Sequence, residues 1–345
     1  MTARRFFLDR GLGENRGVVT LNGKPERLII ARQDDLPAQS LGARVVGRIR
    51  AVERAQAIAF IDLGAGPDGV LNFGAEVGPV VQGGWLEVEI KSEGRRGKGP
   101  TLRGLGPATG PARVLAPGPD PEQRLVTLAR GAEIEEGRAA RVLADQAQDE
   151  ALETVFAIPG GGSIAVETTR AFTAVDVDLG ERQGQGAKRT TRAANLAALA
   201  EIARVLRLKG LGGLVVIDLA GRGHDAPALL TAARGAFAPD NPGVAIGPVS
   251  RFGTLELLIP RRARPALEIL LDPSGAPASS TTAMALVRAL EREASLDGGG
   301  QFDAVTSPSV ARAAAASLAM LVARVGARVA LQEEAGRANF EIVRR

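Results

Sequence analysis

Three aspartates at the ends of apolar runs are the residues of this sequence best suited to chemistry. Asp176 and Asp178 lie two positions apart in the run "AFTAVDVDLG", and Asp218 ends the run "LGGLVVID". The β-branched composition predicts a strand in each run, and side chains at positions i and i+2 of a strand share one face. A single predicted helix separates the two runs, which favours neighbouring strands. We therefore expect Asp176 and Asp218 to converge at the carboxyl edge of a sheet.

Neighbouring carboxylates repel one another, and a protein relieves that repulsion by protonating one of them or by binding a hard cation. Mg²⁺ fits such a group because it takes one or two carboxylates together with waters and phosphate oxygens. Turn chemistry is the alternative: Asp178 would begin a turn with Leu179 and Gly180, and Asp218 would cap the segment after its strand. The residue types and their spacing leave both interpretations open.

The elements that must position these aspartates form an alternating strand and helix pattern. Two strands in "GSIAVETTRAFTAVDVDLG" precede the helix "TTRAANLAALAEIARVLRLK" and the strand "GLGGLVVIDLA". A further helix, "DAPALLTAARGAF", leads to strands in "GVAIGPVS" and "TLELLI". This pattern predicts a layer of mixed α/β structure.

Short runs punctuated by glycine predict an all-β region upstream. The runs on either side of Asn22-Gly23 predict a hairpin, because that dipeptide readily adopts the positive φ angles of a tight turn. Five short strands between residues 43 and 104 have the size of a small closed barrel of the oligonucleotide-binding type. Two helices and short strands near the C-terminus predict a small α/β domain. The fold class expected for the whole chain is multidomain α+β.

Composition excludes several kinds of site. The chain has 345 residues, no cysteine and one histidine, His224, which excludes disulfides, thiolate metal sites and two-histidine acid–base catalysis. A Ser-His-Asp triad would have to use His224 in the loop "GRGHDAP", where we expect a solvated histidine instead. The net charge of +4 permits a polyanionic partner, although a GC-rich genome would also account for the many arginines.

Neither a secretory signal nor a membrane span is expected. The start "MTARRFFLDRGLG" has only a short apolar stretch, and the longest uncharged apolar run, 313–323, has 11 residues. A membrane-spanning helix needs about 20 apolar residues. Together with the absence of cysteine, these features predict a cytoplasmic protein with no membrane partner.

Three longer segments carry a family resemblance. In order and spacing, "PGGGSIAVETTRAFTAVDVDLG", "NLAALAEIARVLRLKGLGGLVVIDLAG" and "VSRFGTLEL" resemble the catalytic core of the ribonuclease E/G family of bacterial endoribonucleases. The resemblance covers residues 159–258. Further upstream, "VVGRIRAVERAQAIAFIDLGAGPDGVLNFG" resembles the S1-type RNA-binding barrel of that family.

The resemblance implies a division of the chain into six segments. These are N-terminal β-hairpin strands, 1–40, packing with 105–158; an S1-type OB-fold barrel inserted near the N-terminus, 41–104; a shortened connector subdomain, 105–158; the mixed α/β metal-dependent nuclease core, 159–262; a linker, 263–280; and a small C-terminal α/β domain, 281–345.

The resemblance also implies an activity and its catalytic residues. Cleavage of single-stranded RNA with Mg²⁺ would leave 5′-phosphate and 3′-hydroxyl ends, in ribosomal RNA processing or messenger RNA decay. Asp176 and Asp218 match the two metal-binding aspartates of the family, with Mn²⁺ as an alternative ion. Asp178 stands where the family has asparagine. It is included among the catalytic residues, either as a third charge near the ion or as a hydrogen-bond acceptor.

Matched positions in the barrel imply contacts with RNA. Phe60 matches an aromatic residue on which the family stacks bases, and Lys98 matches a basic residue that contacts RNA. The companion aromatic of the family is Val70 in this chain, and the loss of one stacking platform should weaken single-strand binding. Arg95 and Arg96 beside Lys98 would compensate through phosphate contacts.

In the core, the "SRFG" segment faces substrate in the family. Arg251 is therefore a candidate phosphate contact. Phe252 could stack on a base beside it, but burial in the core is the favoured expectation for this phenylalanine.

Two departures from the family carry their own predictions. The family joins its dimer through a cysteine motif that binds zinc, whereas this chain has "LDPSGAPASS" at that junction and no cysteine. We therefore expect no zinc, and any homodimer must form through other contacts. The segment 105–157 is short and has no counterpart of the motif that senses a 5′-monophosphate, which predicts cleavage that is indifferent to the 5′ end of the RNA.

Two other classes of function compete with this hypothesis. The first is a non-catalytic S1-domain RNA-binding protein, against which the retention of both Asp176 and Asp218 argues, because paired acids repel phosphate. The second is phosphotransfer to a small molecule. It would need a phosphate-cradling loop, and "PGGGS" lacks the G-K-[ST] ending and leads into a strand.

Overall fold

The computed structural model shows an α+β chain, as the sequence predicts, that divides into two units. It describes residues 4–74, 80–95, 97–181, 186–240 and 243–345. Within those ranges the first unit takes residues 4, 19–28 and 145–265, and the second takes residues 5–18, 29–144 and 266–345. The finer division into six segments stays a prediction.

The first unit is built on a six-stranded sheet. Its strands are β11 (Val155–Ala157), β12 (Ser163–Thr168), β13 (Thr173–Asp178), β14 (Gly213–Asp218), β15 (Ala245–Val249) and β16 (Thr254–Ile259). They lie in the order β11-β12-β13-β14-β16-β15. The β13 and β14 strands pair in parallel, and the other neighbours are antiparallel. A parallel pair needs a long crossover connection, and α3 (Ala187–Lys209) is the helix of that crossover.

One face of this sheet is buried and the other is exposed. On β13, Val175 and Val177 are buried whereas Asp176 and Asp178 are exposed. The β14 strand repeats the alternation, and the buried rows pack with α3 and α4 (Ala226–Phe237) in one apolar core. Burial of each such aliphatic side chain contributes about 1.5–3 kcal/mol. A one-residue slip would exchange the two faces, and this core therefore fixes the face on which the aspartates emerge.

A short glycine-containing turn connects the end of α3 to β14. Gly210 takes a φ of +66° just after the helix, a conformation that glycine adopts without the steric cost of a side chain. The amide of Leu211 then donates to the carbonyl of Leu206 at 2.9 Å. Leu211 is buried in the core and Gly213 begins the strand that carries Asp218.

Most of a four-stranded sheet belongs to the second unit. Its strands are β1 (Arg4–Arg10), β2 (Glu14–Leu21), β3 (Lys24–Arg32) and β10 (Ile134–Glu136), in the order β10-β1-β2-β3. The turn 19–28 is counted with the first unit. The predicted hairpin is confirmed, since Asn22 and Gly23 between β2 and β3 have φ angles of 51° and 82°. Two successive positive φ angles match the twist of the flanking strands.

A closed five-stranded barrel follows in the second unit. Its strands are β4 (Arg44–Glu53), β5 (Ile58–Asp62), β6 (Gly69–Asn72), β7 (Trp85–Ser92) and β8 (Thr101–Pro107), and β9 (Arg113–Ala116) pairs with the first residues of β4. Pairing of β4 with β5 closes the barrel. Its interior is filled by aliphatic side chains such as Val45, Ile61 and Leu86. The closed barrel agrees with the sequence, whereas its assignment as an S1-type OB fold stays a prediction.

The C-terminal part of the second unit packs two helices on a three-stranded sheet. These elements are α6 (Ser279–Leu296), β17 (Phe302–Thr306), α7 (Pro308–Val325), β18 (Val329–Glu333) and β19 (Glu341–Arg344), with β17 central in the sheet. The remaining helices are α1 (Pro121–Ala129), α2 (Arg138–Leu152) and α5 (Ala266–Leu270). By length and composition α7 could cross a membrane. The core helix of a soluble domain passes the same test, and Val310, Ala314 and Leu321 of α7 lie in the local apolar core.

Candidate active site

Asp176 and Asp218 lie side by side on the exposed face of the first unit's sheet. They are register partners of the parallel strands β13 and β14. Neighbouring strands are about 4.8 Å apart, so one ion or one phosphate group can contact both carboxylates. Neither carboxylate has a hydrogen-bond or ion-pair partner in the described part of the chain. The predicted convergence is present, and the role of the pair as metal ligands stays a prediction.

Asp178 caps the turn that follows β13. Its Oδ1 atom accepts a hydrogen bond from the amide of Gly180 at 3.0 Å. The turn packs closely against the preceding hairpin, because a Cβ atom on Gly162 would lie 2.4 Å from the carbonyl oxygen of Asp178. This is the turn interpretation that the sequence left open for Asp178, and it makes the carboxylate a hydrogen-bond acceptor.

The donor set at Asp176 and Asp218 fits Mg²⁺. No group of three or more His, Cys, Asp or Glu side chains among the described residues is placed to share a metal ion. Mg²⁺ does not need such a group, since it is usually held by one or two protein carboxylates and completes its octahedron with waters and phosphate oxygens. Two adjacent carboxylates without a described cationic partner supply that set of hard oxygen donors.

Asn195 of α3 holds the chain just beyond Asp218. This side chain is 1% exposed. Its Nδ2 atom donates to the carbonyl of Ala220 at 3.0 Å, and its Oδ1 atom accepts from the amide of Ala220 at 3.0 Å. Sequence reasoning assigned Asn195 no role, although an amide within the apolar run "NLAALAEIA" was a usable signal.

The far end of the same loop is fixed at the start of α4. Asp225 accepts from the amide of Ala228 at 3.2 Å and from Nε of Arg192 at 2.9 Å. The Arg192 guanidinium and the Ala228 amide hold the pKa of Asp225 below its usual value. The loop after Asp218 is therefore tied to both α3 and α4.

The segment "SRFG" forms a tight turn between β15 and β16, next to Asp218. The Ser250 hydroxyl accepts from the amides of Phe252 at 3.2 Å and Thr254 at 3.1 Å. Thr254 is the register partner of Asp218 across β14 and β16, and the amide of Leu219 donates to the carbonyl of Gly253 at 3.1 Å. These bonds place the turn at the same edge of the sheet as the carboxylate pair.

Arg251 and Phe252 project from that turn. Phe252 is 76% exposed, which differs from the burial favoured by the sequence. Its ring centroid lies 4.6 Å from the guanidinium carbon of Arg251. An exposed aromatic ring beside a guanidinium is the kind of surface on which single-stranded nucleic acid bases stack.

His224 packs against the same turn rather than standing in solvent. It is half-buried, and its Nε2 atom is buried with no hydrogen-bond partner among the described residues. A Cβ atom on Gly253 would lie 2.9 Å from that nitrogen. His224 therefore has no acidic partner at Nε2, and glycine at position 253 leaves room for its ring.

The predicted RNA contacts of the barrel lie on its outer surface in the second unit. Phe60 and Val70 are register partners on β5 and β6, and both are half-buried. The β8 strand is the next strand of the barrel beside β6, since Val70 also pairs with Thr101. The register neighbour of Phe60 on β6 is therefore aliphatic rather than aromatic.

Two of the predicted basic residues lie close together before β8. The backbones of Arg95 and Lys98 bond reciprocally, at 3.0 Å and 2.9 Å, and Lys98 is exposed. Arg96 lies outside the described residues. The structure thus places Lys98 and Arg95 close together, just before the strand beside Val70.

The sheet that carries these aspartates lies in a region that matches a known protein family. Residues 125–262 match the family model described as the ribonuclease E/G family. This region of the chain is therefore similar to the ribonuclease E/G family. The resemblance read from the sequence is confirmed here, and the matched range contains Asp176, Asp218 and the "SRFG" turn. The barrel lies outside the range.

Curated relatives match over a similar stretch. Ribonuclease E of Buchnera aphidicola (subspecies Schizaphis graminum) is 40% identical over 114 residues, which is 32% of this chain and 12% of the relative. Ribonuclease E of Escherichia coli is 35% identical over 112 residues, 32% of this chain and 11% of the relative. A chloroplastic ribonuclease E/G-like protein of Arabidopsis thaliana is 30% identical over 139 residues, 39% and 14% of the two chains. The matches thus cover about an eighth of the length of these relatives.

Proposed function

We propose that the chain is an endoribonuclease that cleaves single-stranded RNA with a divalent metal ion, Mg²⁺ in the first place and Mn²⁺ as an alternative. One observation carries the proposal: Asp176 and Asp218 are register partners on an exposed sheet face, without described partners, inside the region that matches the ribonuclease E/G family. Two of the relatives bear the name ribonuclease E, which supports RNA as the substrate. The products would carry 5′-phosphate and 3′-hydroxyl ends.

The chain's own residues contribute positioning at this site. A divalent cation held by Asp176 and Asp218 would supply a Lewis acid for a phosphate oxygen and would lower the pKa of a bound water. Asn195 keeps the backbone beyond Asp218 in place through its two bonds to Ala220. Such fixed geometry matters because a small displacement of a catalytic group can cost orders of magnitude in rate.

Arg251 and Phe252 would hold the RNA strand near the carboxylates. The guanidinium of Arg251 matches the geometry of a phosphate, and the exposed ring of Phe252 gives a base a stacking surface. On the barrel, Phe60 would stack a second base, and Lys98 with Arg95 would contact phosphates. These sequence-tolerant contacts favour unpaired RNA over duplex.

The remaining expectations belong to the same proposal. The protein would act in RNA processing or decay in the cytoplasm, without zinc, and any homodimer would form through contacts other than a zinc link. Recognition of the RNA would not depend on its 5′ end.

Cleavage of a labelled single-stranded RNA in Mg²⁺ tests the proposal. Asp176→Asn and Asp218→Asn should each lower the cleavage rate by at least about a hundredfold. Residues that act together in catalysis lose most of their combined effect when either one is removed. Glu256→Gln is the matched control, because Glu256 is an exposed carboxylate one strand away and pairs in register with Val216. Its rate should stay close to that of the wild type.

Two results would overturn the proposal. Cleavage that survives both aspartate substitutions would show that the carboxylate pair is not the active site. A wild-type protein that binds the RNA and never cleaves it, with Mg²⁺ or Mn²⁺, would make the chain a non-catalytic RNA-binding protein.

A further inference from the structure

The chain's one tryptophan lies on the outer surface of the barrel. Trp85 begins β7, and the next residue, Leu86, is buried in the barrel interior. Because side chains alternate along a strand, Trp85 points outward, where it is half-buried. A large aromatic ring on the outside of an OB-sized barrel does not contribute to the barrel's interior packing.

An exposed arginine lies over this ring. Arg48 of β4 is the register partner of Trp85 on β7. The guanidinium carbon is 5.8 Å from the ring centroid. Arg48 makes no direct ion pair among the described residues, although its charge also acts on the neighbouring carboxylate of Asp62. The pair therefore combines an aromatic surface with an exposed cation, the two features of a single-strand contact.

Trp85 and Arg48 are close to the predicted stacking position Phe60. Arg48 pairs with Trp85 on one side and with Asp62 of β5 on the other. Phe60 is two residues before Asp62 on the same face of β5. From strand spacing and rise, the backbones of Phe60 and Trp85 are roughly 12 Å apart, a separation well within the span of a strand bound to one OB fold.

Asp62 and Glu87, two carboxylates beside this surface, are each paired with an arginine. Asp62 accepts from the amide of Gly64 at 2.9 Å and from Arg50 at 2.9 Å, and these two bonds hold the pKa of Asp62 below its usual value. Glu87, two residues after Trp85, is paired with Arg44. Little uncompensated negative charge is left to repel a phosphate next to Arg48.

We propose that Trp85 and Arg48 form a second RNA contact on the barrel, in which a base of single-stranded RNA stacks on the indole and the guanidinium contacts a neighbouring phosphate. The inference rests on the proposed function, because it names a further contact for the same RNA. Trp85 would also give the barrel a second stacking ring, which position 70 does not provide because it is a valine beside Phe60.

The single tryptophan makes the contact directly measurable. The full chain is titrated in EDTA, which prevents metal-dependent cleavage, with a single-stranded oligoadenylate of about 12 nucleotides, within the site size of an OB fold. Intrinsic fluorescence then reports Trp85 alone. The emission should be quenched on binding, with a midpoint equal to the dissociation constant from filter binding.

Variants separate stacking from mere proximity. Trp85→Leu should weaken filter binding by about 5- to 100-fold, the effect of removing one stacking platform, and Trp85→Phe should restore most of the affinity. Arg48→Ala should weaken binding and reduce the slope of log affinity against log salt by about one. Val81→Ala, which truncates a side chain 56% exposed in the segment before β7, is the control and should bind like the wild type.

Each outcome decides the proposal. Binding without any change of emission, or full affinity in Trp85→Leu, would overturn the Trp85 contact while leaving the endoribonuclease proposal in place. Absence of RNA binding in the wild type would overturn both. If Trp85→Leu does not fold, as judged by circular dichroism, the wild-type quenching and the Trp85→Phe affinity still decide the question.

Discussion

The side-chain amide of Asn195 forms two hydrogen bonds with the backbone of Ala220, which lies two residues beyond Asp218. Replacement by alanine would leave the amide and carbonyl of Ala220 without these partners. Each lost hydrogen bond costs about 0.5–1.5 kcal/mol, and we expect Asn195→Ala to lower the free energy of unfolding by about 1–3 kcal/mol in urea denaturation. At a temperature where the variant is folded, cleavage should fall while RNA binding is retained.

Ala193→Asn is the control for this experiment, since it places the same side chain at an exposed position of α3. Its stability and cleavage rate should be close to those of the wild type. Unchanged stability and cleavage in Asn195→Ala would show that the amide does not hold the loop.

Asp178 should act as a hydrogen-bond acceptor rather than as a charge. Asp178→Asn keeps an oxygen that can accept from the amide of Gly180, so thermal unfolding and Mg²⁺-dependent cleavage should change little. Asp178→Ala removes the acceptor and should cost about 0.5–1 kcal/mol of stability. A loss of cleavage in Asp178→Asn as large as in Asp176→Asn would instead make Asp178 a third charge at the metal.

Phe252 should contribute to RNA affinity without contributing to folding. Its ring is 76% exposed, so Phe252→Ala should leave the thermal unfolding midpoint nearly unchanged. The same change should weaken single-strand binding by about 1–3 kcal/mol, the usual effect of removing one stacking ring. Equal RNA affinity of the wild type and Phe252→Ala in filter binding would rule out a stacking role. If stacking is the cause, Phe252→Trp should keep the affinity of the wild type.

Lys209 should make the protein more stable as the pH rises from about 8 to 10. Burial lowers the pKa of Lys209 to about 8, although its Nζ atom donates to the carbonyls of Ala151 at 2.8 Å and of Glu153. In this window the unfolded chain still binds the proton that the folded chain has lost, so the free energy of unfolding increases with pH. The increase is on the order of 1–3 kcal/mol over the window.

The chain suits this measurement because it has no tyrosine or cysteine, so lysines are the main side chains that titrate there. Urea denaturation at several pH values should give a rising profile for the wild type and a flatter one for Lys209→Met. Parallel profiles for the two proteins would contradict the assignment to Lys209.

Cleavage should not depend on the 5′ end of the RNA. The sequence between the barrel and the core has no counterpart of the family's 5′-monophosphate-sensing motif. One oligonucleotide prepared with a 5′-phosphate and with a 5′-hydroxyl should therefore be cut at similar rates. A preference for the phosphate of about tenfold or more, 1.4 kcal/mol, would show that the chain senses the 5′ end by other residues.

The aspartate pair could be predicted from the sequence because it depends on short-range patterns. Alternation placed Asp176 outside the core formed by Val175 and Val177, and a single helix between the strands predicted that Asp176 and Asp218 would be neighbours. The hairpin at Asn22-Gly23 was predictable for the same reason, since two adjacent residue types determine its turn.

Other features depend on contacts that the sequence does not display. Phe252 was expected to be buried because it is apolar, yet the bonds of the Ser250 hydroxyl close a turn that projects it outward. The apolar run around Asn195 indicates a buried amide, but the partner of that amide is the backbone of Ala220, which has no residue-type signature. Trp85 meets Arg48 only through the register of β4 and β7, and register between strands distant in sequence is set by tertiary packing.

Metal dependence of cleavage is the sharpest test of the carboxylate pair as the active site. The cleavage rate of a labelled single-stranded RNA is measured after chelation with EDTA and again over a range of added Mg²⁺, for the wild type, Asp176→Asn, Asp218→Asn and Glu256→Gln. Chelation should abolish cleavage, and added Mg²⁺ should restore it in the wild type and in Glu256→Gln. Both aspartate variants should stay at least about a hundredfold slower at every Mg²⁺ concentration. Undiminished cleavage in EDTA, or wild-type rates in both aspartate variants, would contradict a metal-dependent active site at this carboxylate pair.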